Sequence, residues 1–185
     1  MDERDLGCAD VRGEGSVYVF WGDGKGKTTA ALGMALRALG HGWRVHMVQF
    51  MKSAREEAGE LKALGSSERF SAETYGETEW LRDEPSERHA AAVTGAMKAA
   101  ERAVKRTDVD LLVLDEILYA VEFGLVGVPD VVRLLCERSP GMDVVLTGGW
   151  GEIAEITALA DLVTEMKRHK HPFDHGADAR QGIEY

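Results

Sequence analysis

The residues whose types and spacing could do chemistry are Gly22-Asp23-Gly24-Lys25-Gly26-Lys27-Thr28-Thr29. They follow the apolar run Val17-Tyr18-Val19-Phe20-Trp21 and open an Ala/Leu-rich stretch over 30–39. Strand, glycine-rich turn and helix together are the setting in which Gly-Lys-Thr binds phosphate. Glycines let the backbone turn with its N–H groups inward, at a helix N-terminus whose dipole favours an anion. Lys27 would reach the phosphates as a point charge, and the Thr28 hydroxyl would ligate Mg²⁺. The spelling is not the usual one. Counting back from Gly26, the glycine required five positions earlier falls on Trp21, and Gly22 leaves three intervening residues instead of four. The competing reading is a glycine-rich turn carrying solvated lysines; the strand-to-helix context favours phosphate binding.

A second set of oxygen donors follows another apolar run. Residues 110–114 (Asp-Leu-Leu-Val-Leu) end in Asp115-Glu116. A carboxylate leaving the strand beside a phosphate loop can hold Mg²⁺ directly or through water. Alone, two acids ending a strand are more often surface solvation; paired with the loop, they read as its metal site. His169, His171 and His175 are separated by Pro172, which breaks any helical face they could share, and no cysteine lies near enough to complete a zinc set. A polar tail lying over the nucleotide is the better reading of that segment. Trp80, among Glu77, Glu79, Arg82 and Asp83, is either a core plug or the wall of a pocket for a large flat ligand. No Ser/His/Asp or Cys/His arrangement is legible.

These groups need a scaffold. Strands are predicted at 16–21, 43–50, 69–75, 110–114, 143–146 and 162–166, with helices at 27–39, 55–64, 85–106, 117–123, 130–138 and 153–160. In the alanine-rich helix, Val93, Met97, Ala100 and Val104 recur at helical spacing as a buried stripe, and Gly95 is a local weakness. Strands alternating with helices imply right-handed crossovers and an α/β fold with a mainly parallel sheet covered on both faces. Ligands of such sheets sit at the strand carboxyl ends, where the loop, Asp115-Glu116 and the segment 147–150 would converge. Residues 1–15 are polar and read as a mobile tail, leaving 16–185 as the nucleotide-binding domain.

The chain of 185 residues is most simply one domain able to bury its own core. A formal net charge of −10 argues against a general nucleic-acid binder, which would show a basic face. No apolar run reaches membrane-spanning length, and the N-terminal segment has no signal h-region. Cys8 and Cys136 form no metal spacing and suggest free thiols in a reducing compartment. The expectation is a cytoplasmic protein.

The combination resembles the P-loop ATP:corrinoid adenosyltransferases, over about residues 17–185. Four segments carry the likeness: 22–29 with the following Ala30-Ala31-Leu32-Gly33; Val48-Gln49-Phe50-Met51-Lys52; Val113-Leu114-Asp115-Glu116-Ile117; and Lys170-His171-Pro172-Phe173-Asp174 through Gly176-Ala177 to Gln181-Gly182-Ile183-Glu184-Tyr185. The shortened loop with Lys25 inside it is that family's variant of the phosphate motif. Generic P-loop enzymes do not share the last segment.

The resemblance implies a RecA-like domain, a homodimer, and a nucleotide bound in reverse of the usual P-loop direction. It implies transfer of the 5′-deoxyadenosyl group of ATP to the Co(I) of a corrinoid such as cobalamin, with inorganic triphosphate leaving. The nucleophile then belongs to the corrinoid, and an external reductant such as a flavoprotein must supply Co(I). Lys27 and Lys25 would stabilise the leaving group. By position, Thr28 and Glu116 look like the Mg²⁺-binding pair with Asp115 behind them, and Trp80 falls in the corrinoid loop. Three positions depart from the family: Thr78 where an aromatic is usual, Ser53 where glycine is usual, and Gly149-Trp150 where arginine follows the Thr-Gly that ends the late strand. These departures keep two other classes open, a P-loop hydrolase or kinase cleaving the β–γ bond and a non-catalytic ATP- or corrinoid-binding paralogue.

Overall fold

The computed structural model describes residues 15–53, 58–77, 84–176 and 180–183. Among them, β1 (Val17–Trp21), β2 (Val45–Phe50), β3 (Phe70–Tyr75), β4 (Leu111–Asp115), β5 (Asp143–Thr147) and β6 (Leu162–Glu165) form one sheet. Its order is β3-β2-β4-β5-β1-β6, and every neighbouring pair is parallel. Parallel pairing requires crossovers, supplied by α1 (Lys27–Gly40), α2 (Gly59–Leu64), α3 (Glu87–Ala103), α4 (Ile117–Glu122), α5 (Val128–Cys136) and α6 (Ala154–Thr157).

The central strands are buried on both faces, and their alternation sorts two cores. Val48, Phe50, Leu112, Leu114, Val144 and Leu146 point to the face covered by α3, α4 and α5. Val45, Met47, Leu111, Val113 and Val145 point to the other, where Ala31 and Ala35 of α1 pack. Small residues let α1 lie close on the sheet, so its first turn stands at the carboxyl edge of β1.

Several expectations shift at their edges. On α3 the buried set is Val93, Ala96, Ala99, Ala100 and Ala103, while Met97 is only partly buried. Alanines carry the seam because a broad small-residue stripe allows closer approach than a single row of large ones. Gly95 has a reason: a Cβ there would lie 3.0 Å from the Tyr75 ring. The helix expected at 153–160 shortens to Ala154–Thr157. Gly15, read as tail, already packs, its carbonyl accepting from Arg138 Nη2 at 3.0 Å. Cys136 is disulfide-bonded, not a free thiol. Two cysteines 128 residues apart in sequence give no hint of their separation in the fold, so their count carried no pairing information. Cys8 lies outside the described residues. Among the described residues no helix is long and apolar enough to cross a membrane.

Candidate active site

Four strands deliver the site at their carboxyl ends. β1 runs into the glycine loop, β2 into Met51-Lys52, β4 into Asp115-Glu116 and β5 into Thr147-Gly148-Gly149-Trp150. Met51 (φ 57°) and Glu116 (φ 64°) are the non-glycine residues with left-handed backbone among those described. Such strain costs on the order of 1–3 kcal/mol per residue and persists where surrounding structure enforces it. Both bends turn the chain sharply off the sheet, presenting Lys52 and the Glu116 side chain to the same cleft.

The loop is built by close approach. Gly22 (φ 117°) would bring a Cβ within 2.3 Å of the Met166 carbonyl oxygen, and Gly24 one within 2.7 Å. Gly24 N–H donates to that carbonyl at 2.7 Å, and Gly22 N–H donates to the Gly149 carbonyl at 3.1 Å. These two N–H groups are therefore turned to protein, contrary to the expectation that the loop amides all face inward. Asp23 Oδ1 accepts from Arg168 N–H at 3.0 Å. Gly22 and Asp23 thus shape the loop from behind, while Gly24, Lys25, Gly26, Lys27, Thr28 and Thr29 line a cavity of about 490 Å³. Gly26 caps α1 with no side-chain acceptor, so the first-turn N–H groups are left for an anion.

Behind the loop lies a hydrogen-bonded cluster centred on Asp115, which is fully buried. Its Oδ1 accepts from Thr28 Oγ1 at 2.8 Å and from Thr147 Oγ1 at 2.7 Å. Its Oδ2 accepts from Lys52 Nζ at 2.5 Å and from Gln49 Nε2 at 3.4 Å, and Gln49 Oε1 in turn accepts from Thr74 at 2.9 Å. Thr147 Oγ1 also accepts from Glu116 N–H at 2.9 Å, pinning the strained residue. Burial opposes the Asp115 charge, but the Lys52 ammonium and the hydroxyl donors outweigh it and hold its pKa below the usual carboxylate range. Lys52 mirrors this: burial opposes its charge, and Asp115 and Glu116 raise its pKa nonetheless. Glu116 goes the other way. Burial, reinforced by Asp115, pushes it up to about 7 despite Lys52 and Lys27.

The donor set fits Mg²⁺. Glu116 Oε2 is buried with no hydrogen-bond partner, an orphaned acceptor at the cleft beside the Thr28 hydroxyl and Asp115. Mg²⁺ characteristically takes one or two carboxylates and completes its shell with water and substrate phosphates, so a larger protein cage is not required. Lys27 folds back on the loop, its Nζ donating to the carbonyls of Gly22 and, at 3.0 Å, Gly24. Its ammonium also stands 5.5 Å from the Tyr119 ring centre, and burial lowers its pKa.

Other walls were not legible beforehand. Lys52 and Tyr119 line the cavity, with Leu32 from α1 and Glu60 from α2. The sequence signal for Lys52 was its place just past a buried strand; Tyr119 carried no signal of its own within the apolar helix predicted at 117–123. Gly182 and Ile183 also line the cavity, so among the described residues the C-terminal segment, expected to reach the nucleotide as a polar tail, does so through a glycine and an apolar side chain. His171 does turn-forming work: its Nδ1 accepts from Phe173 N–H at 3.2 Å, while Asp174 Oδ2 accepts from His171 N–H at 3.0 Å. Trp80 and Thr78 lie outside the described residues.

A parallel α/β sheet with a glycine loop opening α1 and acids leaving a central strand defines a P-loop nucleotide-binding domain. The chain's family is narrower. A family profile described as ATP:corrinoid adenosyltransferase BtuR/CobO/CobP matches residues 13–185, and the chain belongs to that family. It is 37% identical to the corrinoid adenosyltransferase of Escherichia coli K12 over 100% of this chain and 92% of that relative. It is 37% identical to corrinoid adenosyltransferase CobA of Salmonella typhimurium, covering 100% of this chain and 93% of that one. The Pseudomonas aeruginosa corrinoid adenosyltransferase is 36% identical over 100% and 90%.

Proposed function

We propose that this protein transfers the 5′-deoxyadenosyl group of ATP to the Co(I) of a corrinoid. The observation that carries this reading is the family match across almost the whole chain, joined to a phosphate cleft rich in lysine. Co(I) attacks C5′ of ATP, the cobalt–carbon bond forms, the C5′–O bond breaks, and inorganic triphosphate leaves with the bonding pair. The charge that needs stabilising is therefore on the leaving group. Lys25, Lys27 and Lys52 all line the cavity and supply it. The nucleophile in this reaction belongs to the corrinoid substrate, so the protein's part is to position ATP and stabilise the leaving group.

Thr28 and Glu116 would hold Mg²⁺, with Asp115 orienting Thr28 through the 2.8 Å bond. Bound there, the ion would neutralise phosphate oxygens of the leaving triphosphate. Gly24–Thr29 would cradle the phosphates, with Gly22 and Asp23 holding the loop's shape, and Trp80 contacts the corrinoid. The protein works as a homodimer in the cytoplasm, with Co(I) generated by an external reductant such as a flavoprotein.

The test is product identity. Anaerobic mixtures of protein, Mg-ATP and Co(I) corrinoid, followed by phosphorus NMR, should show triphosphate formed in step with a light-sensitive cobalt–carbon product. Without corrinoid, ATP should persist. Steady release of ADP without corrinoid, and no triphosphate with it, would replace the transferase with a hydrolase. ATP bound with neither product would indicate a carrier.

A further inference from the structure

Trp150 is half exposed, at 52%, on the loop that leaves β5. Its ring is braced by two aromatic neighbours and its backbone by a carboxylate, so the indole is held in one place. Its ring meets Tyr119 edge-on at 4.7 Å and Phe123 at 5.5 Å between centroids. Its backbone N–H donates to Glu122 at 2.8 and 3.0 Å, and the next N–H, of Gly151, donates to the same carboxylate at 2.8 Å. Gly148 (φ 113°) and Gly149 (φ 73°) are both left-handed, and a Cβ on Gly149 would press within 3.3 Å of Leu118 and 3.2 Å of Glu122. The two glycines let the loop fold tightly onto α4 and set the indole at its tip. Tyr119, the ring it leans on, is itself a wall of the nucleotide cavity.

We infer that Trp150 is a stacking surface for the corrin ring at the mouth of the ATP cavity, and a determinant of corrinoid affinity in this chain. The inference rests on the transferase reading above. A cavity of about 490 Å³ is of the size that one drug-sized ligand fills, so ATP leaves no room inside for a macrocycle. The corrin must then lie across the opening, where its cobalt can face C5′ in line. Trp150 does not line the cavity but leans on Tyr119, which does, and this separates it from the phosphate contacts. An aromatic plane held by its own loop gives contact area at little ordering cost, the property a flat substrate can use.

Trp150→Ala and Trp150→Phe test it. Two quantities are read on each: affinity of the Mg-ATP complex for the unreactive Co(II) corrinoid, by absorbance titration, and affinity for Mg-ATP, by calorimetry. Trp150→Ala should weaken corrinoid binding, and raise the corrinoid KM, roughly three- to tenfold while ATP affinity stays at the wild-type value. Trp150→Phe should recover most of the loss. Unchanged corrinoid affinity in Trp150→Ala overturns the inference, as does a loss confined to ATP, which would assign the ring to adenine. If Trp150→Ala lowers the melting temperature and weakens both ligands alike, Trp150→Phe decides by the same two affinities. A wild-type protein that makes no adenosylated corrinoid fails the transferase reading, whereas active wild type with an unaffected Trp150→Ala fails this inference alone.

Discussion

Replacing Glu116 with glutamine separates the cost of its charge from the rest of the site. Without a metal, burial and the neighbouring Asp115 charge push its pKa from 4.5 up to about 7. That corresponds to about 3 kcal/mol against the ionised form, at 1.36 kcal/mol for each pKa unit. The folded pKa lies above the unfolded one, so folding favours the protonated acid. The stabilisation is fully present below the unfolded value and is lost as pH rises through about 7. In chelator, the wild-type protein should therefore lose up to about 3 kcal/mol from this group between about pH 4.5 and pH 8. For a chain of this length that is roughly 6–12 °C in melting temperature. Glu116→Gln has no proton to lose, so the variant should gain on the wild type steadily as pH rises. Thermal unfolding of both proteins in chelator across that range gives a difference curve in which other groups cancel. A flat difference curve would refute the buried, proton-holding Glu116 described above. Mg²⁺ needs the ionised form, so its apparent affinity for wild type should rise with pH through the same region.

Lys27→Ala should weaken Mg-ATP binding by about 1.5–3 kcal/mol, the scale of a charge-assisted hydrogen bond, and calorimetric titration showing wild-type affinity would remove Lys27 from the phosphate site. Lys52→Met leaves the fully buried Asp115 without its counter-charge and should cost about 3–5 kcal/mol of stability, read by denaturant unfolding; a change near zero would mean the hydroxyl donors alone suffice. Gly22→Ala should lower both melting temperature and ATP affinity although Gly22 does not line the cavity, because its Cβ would meet the Met166 carbonyl at 2.3 Å; unaltered ATP binding would refute that packing.

The sheet and the phosphate loop were legible because their signals are local. Gly26-Lys27-Thr28 names a chemistry wherever a strand precedes and a helix follows, and the apolar run before Asp115-Glu116 marks a strand buried on both faces. Even β3, weakly alternating, lies where expected, because pairing with β2 rather than its own pattern decides it. Roles that depend on long-range approach were hidden. Lys52 looks like any lysine after a strand until Asp115, 63 positions later, stands 2.5 Å away. Gly22 and Asp23 read as ligand-binding because sequence shows a loop's spelling and not which side faces Met166 and Arg168. Trp150 could be noticed as unusual, but its bracing by Glu122, Tyr119 and Phe123 exists only once α4 folds back beside β5.

The hydrogen bonds from Gly22 and Gly24 to the carbonyls of Gly149 and Met166 have a consequence for how ATP is met. A glycine-rich loop in free solution would lose much backbone entropy on closing around a phosphate. Here that loss is incurred when the sheet assembles, since the exits of β5 and β6 already hold the turn. Nucleotide capture then resembles docking into a mould, not the closing of a clasp. The amide protons of Gly22 and Gly24 should exchange with deuterium slowly, at nearly the same rate with and without ATP, an unusual property for residues in a loop.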